Sequence, residues 1–118
     1  MSQILIVDDD KDLLDMVSLV LRTNDLKVNC VDNGTDFMPA VEENAPDLVL
    51  MDIYLGDADG RELCYSLKTS KKFGHIPVIL YSAGNITTSS VKESMADVFL
   101  SKPFDNLQLI NKIRSLIN

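Results

Sequence analysis

The sequence predicts an α/β domain in which a parallel sheet of five strands carries helices on both faces. Three observations lead there. Five short apolar runs, at residues 3–7, 27–31, 48–51, 78–81 and 97–100, alternate with five stretches of helical periodicity. The runs at 48–51 and 78–81 are apolar with little alternation, the pattern of strands buried on both faces. No internal repeat, low-complexity segment or linker interrupts the alternation, so the crossovers are right-handed and the loops that leave the strand ends gather at one rim.

Each element follows from its residues. Gln3-Ile4-Leu5-Ile6-Val7 is a strand, and Asp8-Asp9-Asp10 follows without a gap. Asp10 reads as the N-cap of a helix whose apolar stripe is Leu13, Leu14, Val17, Val20 and Leu21, ended by Asn24-Asp25. Lys27 to Val31 alternates and suits a strand near an edge. Asn33-Gly34 turns the chain into a helix bearing Phe37, Ala40 and Val41, where Pro39 is tolerated only near the first turn. Ala45-Pro46 leads into the central strand, Leu48-Val49-Leu50-Met51, which delivers Asp52 at its end. After Gly56 and Gly60, Leu63, Cys64 and Leu67 form a helical stripe, with Lys68, Lys71 and Lys72 towards its end. Val78 to Tyr81 is a strand ending at Ser82-Ala83-Gly84, and a short polar helix is expected over residues 87–94. The strand at 97–100 ends in Ser101-Lys102-Pro103-Phe104. Leu107, Ile110, Ile113, Leu116 and Ile117 then describe an amphipathic helix.

The bulk properties exclude several classes. A chain of 118 residues with 46% hydrophobic content fits one domain, expected over 1–118. Its formal net charge of −7 disfavours direct binding to nucleic acid or to an anionic membrane. No apolar stretch nears the roughly 20 residues that span a bilayer, and Met1-Ser2-Gln3 lacks the basic start of a signal peptide, so a cytoplasmic protein is expected. Cys30 and Cys64 lack CxxC spacing and read as free buried thiols. His75, the single histidine, has no neighbouring ligands for a zinc-type site.

The strand ends carry the chemistry. Asp8 and Asp9 follow the first strand, Asp52 the third, Ser82 the fourth and Lys102 the fifth. Carboxylates crowded at one rim repel one another and need a cation or shared protons. Oxygen donors suit a hard ion such as Mg²⁺, with Mn²⁺ as a substitute. A lysine and a hydroxyl beside it suit phosphoryl oxygens. One carboxylate can attack phosphorus to give an acyl phosphate. The residues thus describe a Mg²⁺-dependent site that accepts a phosphoryl group on an aspartate.

These motifs, Ile6-Val7-Asp8-Asp9-Asp10, Leu50-Met51-Asp52-Ile53 with Asp59-Gly60, Tyr81-Ser82-Ala83 and Ser101-Lys102-Pro103-Phe104, resemble those of response regulator receiver domains of two-component systems, over residues 3–118. The resemblance implies a flavodoxin-like doubly wound sheet of strand order 2-1-3-4-5. It implies Asp52 as phosphoacceptor, and a metal site of Asp8, Asp9, Asp52 and the Tyr54 backbone carbonyl. Ser82 and Lys102 would bind the phosphoryl oxygens, and the Lys102–Pro103 peptide bond would be cis. Ser82 and Phe99 would form the switch that remodels the surface of the fourth helix, fifth strand and fifth helix. Its partners would be a sensor histidine kinase or phosphotransfer protein and a downstream protein or output domain. Pairing of two copies through the switch surface is compatible with it. The chain's last helix suits both a stand-alone regulator and a receiver joined to an output domain.

Other residues read more plainly. Asp57 and Asp59 are expected to shape their loop, and Tyr81 to pack within its strand. Gly56 stands where many relatives have proline, which would give that loop more freedom. Tyr54 is bulky enough to overhang the site, and Gly84 has no side chain to position water. Both favour slow self-hydrolysis of a phosphoryl-aspartate. Two rival readings have their own signatures. A Mg²⁺-dependent phosphatase with an aspartyl intermediate usually needs a second acid two residues after the nucleophile, where this chain has Tyr54. A phosphorylation-independent adaptor would have no use for Asp8, Asp9, Asp52, Ser82 and Lys102 as a complete set.

Overall fold

The computed structural model describes residues 2–84 and 86–117. Met1 and Asn118, the ends of the expected domain, lie outside the described residues. The elements alternate as β1 (Gln3–Val7), α1 (Lys11–Thr23), β2 (Lys27–Val31), α2 (Phe37–Asn44), β3 (Leu48–Asp52), α3 (Gly60–Lys68), β4 (Val78–Ser82), α4 (Thr88–Ser94), β5 (Val98–Ser101) and α5 (Asn106–Ile117). The five strands pair in parallel, in the order β2-β1-β3-β4-β5.

Two cores form, one on each face of the sheet, because side chains alternate along every strand. Ile4, Ile6, Leu48, Leu50, Ile79 and Tyr81 meet the apolar stripes of α1 and α5. Leu5, Val7, Val49, Met51, Val78 and Leu80 meet Phe37, Val41, Cys64 and Leu67 from α2 and α3. Every residue of β3 and β4 is buried, as expected of central strands that read as continuous apolar runs.

Capping fixes where the helices begin. The Asp10 side chain accepts hydrogen bonds from the Asp12 and Leu13 amides and starts α1. Thr87 caps α4 by accepting from the Ser90 amide, so the helix begins one residue later than the sequence suggests. The polarity of α4 leaves Ser94 as its one buried residue. Lys71 and Lys72 fall in the turn beyond α3, not on the helix.

Cys64 is buried, and burial pushes its thiol up to about 12, which leaves it inert as a nucleophile. Cys30 departs from expectation: it is exposed. β2 is an edge strand covered on that side only by α1, where the Cys30 sulfur lies 3.2 Å from the Ser18 hydroxyl.

Candidate functional site

Register brings the site together. Val7 pairs with Met51, and Asp52 pairs with Tyr81, so Asp8, Asp52 and Tyr81 occupy one row across β1, β3 and β4. Residues in one row of a parallel sheet point to the same face. One step further along the strands, Ser82 pairs with Ser101, and the Lys102 amide donates to the Ser82 carbonyl at 2.9 Å.

The carboxylates converge as expected. Asp8, Asp9 and Asp52 each offer an oxygen within 4.8 Å of the others. Asp8 is fully buried, Asp52 is 7% exposed and Asp9 is exposed. The Lys102 ammonium lies 3.2 Å from Asp52 Oδ2 and 3.8 Å from Asp8 Oδ2. Asp52 Oδ1 accepts from the Tyr54 amide at 3.1 Å. Ser82 is buried, and its Oγ accepts from the Gly84 amide at 3.1 Å, which leaves its own proton free to donate. The Lys102–Pro103 bond is cis.

Phe99 stands apart from this row. It is half-buried on the α2–α3 face of the sheet, opposite Leu80 in β4. Tyr54 is 53% exposed at the mouth of the site. A methyl group added at Gly84 would meet the Tyr54 ring at 3.3 Å, so the ring reaches from the loop after β3 to the loop after β4.

The loop between Asp52 and α3 is a built turn. Gly56 has a φ of +79°, in the left-handed region that favours glycine and that proline cannot reach. Asp59 caps α3 and forms an ion pair with Arg61, whose guanidinium also donates to Ser90 of α4 at 3.3 Å. That pairing holds the Asp59 carboxyl below the usual carboxylate range. Asp57 binds the neighbouring turn: its carboxylate accepts from the Gly34 amide at 2.8 Å and from the amide and hydroxyl of Thr35. These donors, the Gly34 amide first, hold Asp57 below its ordinary value of 3.8. Such a carboxylate adds stability above its unfolded value and loses it as the pH falls through the depressed folded value. Asp57→Ala is therefore expected to lower Tm at pH 7 by about a few degrees. The gap to the parent should shrink in melts taken below pH 3.8. A gap constant down to strong acid would show that the charge of Asp57 plays no part.

The residue that sequence reasoning passed over is Tyr81. It is fully buried, and its hydroxyl donates to Asp8 Oδ2 at 2.5 Å. The remaining Asp8 oxygen accepts from the Asp10 amide at 2.8 Å. Burial raises the Asp8 carboxyl above its ordinary value, and these two donors only partly offset it. Burial, followed by the adjoining Asp8 charge, pushes the Tyr81 phenol far up, so it remains a donor. The available signal was that a tyrosine in a fully buried strand must find a partner for its hydroxyl.

An all-oxygen donor set with a half-buried ammonium beside it suits a hard divalent cation and an anionic oxygen ligand. Among the described residues no helix is long and apolar enough to cross a membrane. The comparisons agree with this chemistry. A family model described as the response regulator receiver domain matches residues 4–114. The DNA-binding response regulator MtrA of Mycobacterium leprae is 34% identical over 115 residues, covering 96% of this chain and 50% of that protein. The transcriptional regulatory protein GltR of Pseudomonas aeruginosa is 31% identical over 116 residues, covering 97% of this chain and 48% of that protein. The chain thus spans about half the length of the curated relatives it matches. A crystal structure of a putative response regulator from Chloroflexus aurantiacus superposes with a TM-score of 0.92 at 26% identity, covering 98% of this chain and 97% of that one. Motifs, register and relatives converge: the chain belongs to the response regulator receiver domain family of two-component signalling.

Proposed function

We propose that Asp52 accepts a phosphoryl group from a phosphohistidine on a sensor kinase or phosphotransfer protein, in a Mg²⁺-dependent reaction that this domain itself catalyses. The observation that carries the reading is Asp52 at the centre of the row, grouped with Asp8 and Asp9 and with the Lys102 ammonium 3.2 Å away. An Asp52 carboxylate oxygen forms a bond to phosphorus as the bond to the donor breaks, and the donor leaves with that electron pair. Asp8, Asp9, Asp52 and the Tyr54 carbonyl would hold the cation, with Asp9 as a direct ligand and Asp8 acting partly through water. The cation supplies positive charge to the transferring oxygens. Lys102 adds an ammonium to the same oxygens, and Ser82 turns its free proton towards them.

The signal is a shift between two populated states, biased by contacts the phosphoryl group makes in one of them. Ser82 moves towards the phosphoryl group and Phe99, which is half-buried, follows it. The α4–β5–α5 surface, which exposes Met95 and Leu107, is then read by a downstream protein, an output domain or a second copy of the chain. The donor protein must approach Asp52 closely. An apolar hollow of about 300 Å³ beside Lys102, lined by Leu13, Met16, Ala83, Pro103 and Phe104, offers it a surface. The domain spans 1–118 and works in the cytoplasm. Relatives named as DNA-binding regulators are about twice its length, and the acidic surface of this domain suits protein contacts instead.

Incubation with acetyl phosphate, followed by intact mass, tests the reading. One phosphoryl mass gained with Mg²⁺ and none in EDTA is expected; no gain with Mg²⁺ contradicts it. The same samples test the lid. The Tyr54 ring overhangs the site and limits the approach of water, and Gly84 carries no side chain to orient one. After removal of acetyl phosphate the adduct should decay over minutes to hours, and Tyr54→Glu should shorten its life by about tenfold or more. Decay of the parent adduct within seconds would show that the ring does not shield it.

A further inference from the structure

Tyr81 sits two strands away from Asp8, with β3 between them. That separation is about 9–10 Å at the usual strand spacing, and the length of a tyrosine closes it where a valine, leucine or threonine would not. The hydroxyl meets Asp8 Oδ2 at 2.5 Å, and Asp8 has no exposed surface through which water could replace that bond. The same ring has two further roles. The Lys102 ammonium lies 4.9 Å from its centroid, within cation–π range, and the Phe104 ring packs edge-on against it at 5.6 Å and 81°. One side chain therefore touches both a carboxylate of the cation site and the ammonium of the anion site.

We propose that Tyr81 is a positioning residue that aims the Asp8 carboxylate at the divalent cation through its hydroxyl and seats Lys102 through its ring. The proposal rests on the cation site described above. Asp8 Oδ1 is fixed by the Asp10 amide and Oδ2 by the phenol, so the carboxylate is locked in rotation before any cation arrives. Hydrogen bonds to ligating carboxylates of this kind set metal affinity, and their loss typically costs 10- to 100-fold. A phenol that served merely to satisfy a buried charge would affect stability and leave affinity for the cation unchanged.

Mn²⁺ alone, titrated into the folded protein and followed by the electron paramagnetic resonance signal of the free ion, separates these roles. Tyr81→Phe keeps the ring and removes the hydroxyl, and it should weaken Mn²⁺ binding about tenfold. In an Asp8→Asn background, which no longer carries the Asp8 charge, Tyr81→Phe should change the affinity by less than about twofold, because its effect runs through Asp8. Asp9→Ala reports on the site itself and should weaken binding at least as much as Tyr81→Phe. Parent-like affinity in Tyr81→Phe, alongside weak binding in Asp9→Ala, overturns the role of Tyr81 and leaves the cation site standing. Equal weakening by Tyr81→Phe in both backgrounds also overturns it, since the hydroxyl would then act through something other than Asp8. Parent-like affinity in Asp9→Ala overturns the cation site and the proposal together. If Tyr81→Phe alone does not fold, the comparison of Asp8→Asn with the Asp8→Asn/Tyr81→Phe double variant still decides: a tenfold gap there contradicts action through Asp8.

Discussion

Asp52→Asn is expected to give a folded protein that gains no phosphoryl group from acetyl phosphate and Mg²⁺, a loss of at least about 10³-fold in rate. The amide that replaces the carboxylate is a poor nucleophile and cannot form an acyl phosphate. Neither neighbour can stand in. Asp8 is fully buried, with one oxygen held by the Asp10 amide and the other by Tyr81. Asp9 is exposed, and the ion pairs of Lys102 are with Asp8 and Asp52. Asp52 alone combines a rim position, an ammonium at 3.2 Å and a carboxylate neighbour on the next strand. Intact mass over time checks this, with circular dichroism to confirm the fold. A gain comparable to the parent would move the acceptor to another residue.

Gly60→Ala is expected to have the largest effect on stability of any single methyl addition near the site. A Cβ at Gly60 would lie 2.3 Å from the Asp52 carbonyl oxygen and 3.0 Å from the Ile53 Cα, both backbone atoms. A flexible side chain could swing aside, but here α3 or the end of β3 must shift. The Gly60 amide also donates to the Ile53 carbonyl at 2.7 Å, and that bond would be strained by the same shift. Overpacking of this kind costs about 1–3 kcal/mol, and contact with backbone puts this site at the upper end. Against a total of about 5–15 kcal/mol, Tm should fall on the order of 10 °C. Because Asp52 itself is displaced, phosphoryl gain should slow as well. A thermal melt with Tm within about 2 °C of the parent would show that the loop absorbs the methyl group.

Much of this was legible in the chain because the information is local. β3 and β4 are continuous apolar runs, so their ends, Asp52 and Ser82, could be read as rim residues without knowledge of the fold. Asp10 announces the start of α1 by its type and position and caps it, whereas Asp59, read as shaping its loop, proves to cap α3. The contribution of Tyr81 was not legible in the same way. It depends on register among β1, β3 and β4, which puts residues 8, 52 and 81 in one row, and no local pattern encodes that alignment. Cys30 misled for a related reason: Val28 and Val31 lie close to it in sequence, but β2 lies at the sheet edge and leaves it uncovered. Gly56 was read as a source of freedom in that loop, and its φ of +79° is one that glycine adopts readily.

The central claim is that phosphorus becomes bonded to Asp52 and to no other side chain. An acyl phosphate is reduced by borohydride to the alcohol, which converts an aspartyl phosphate to homoserine and leaves unmodified aspartate untouched. Protein treated with acetyl phosphate and Mg²⁺, reduced, digested and sequenced by tandem mass spectrometry should carry homoserine at position 52 alone. Homoserine at position 8 or 9, or no homoserine in protein that has gained a phosphoryl mass, would contradict the assignment.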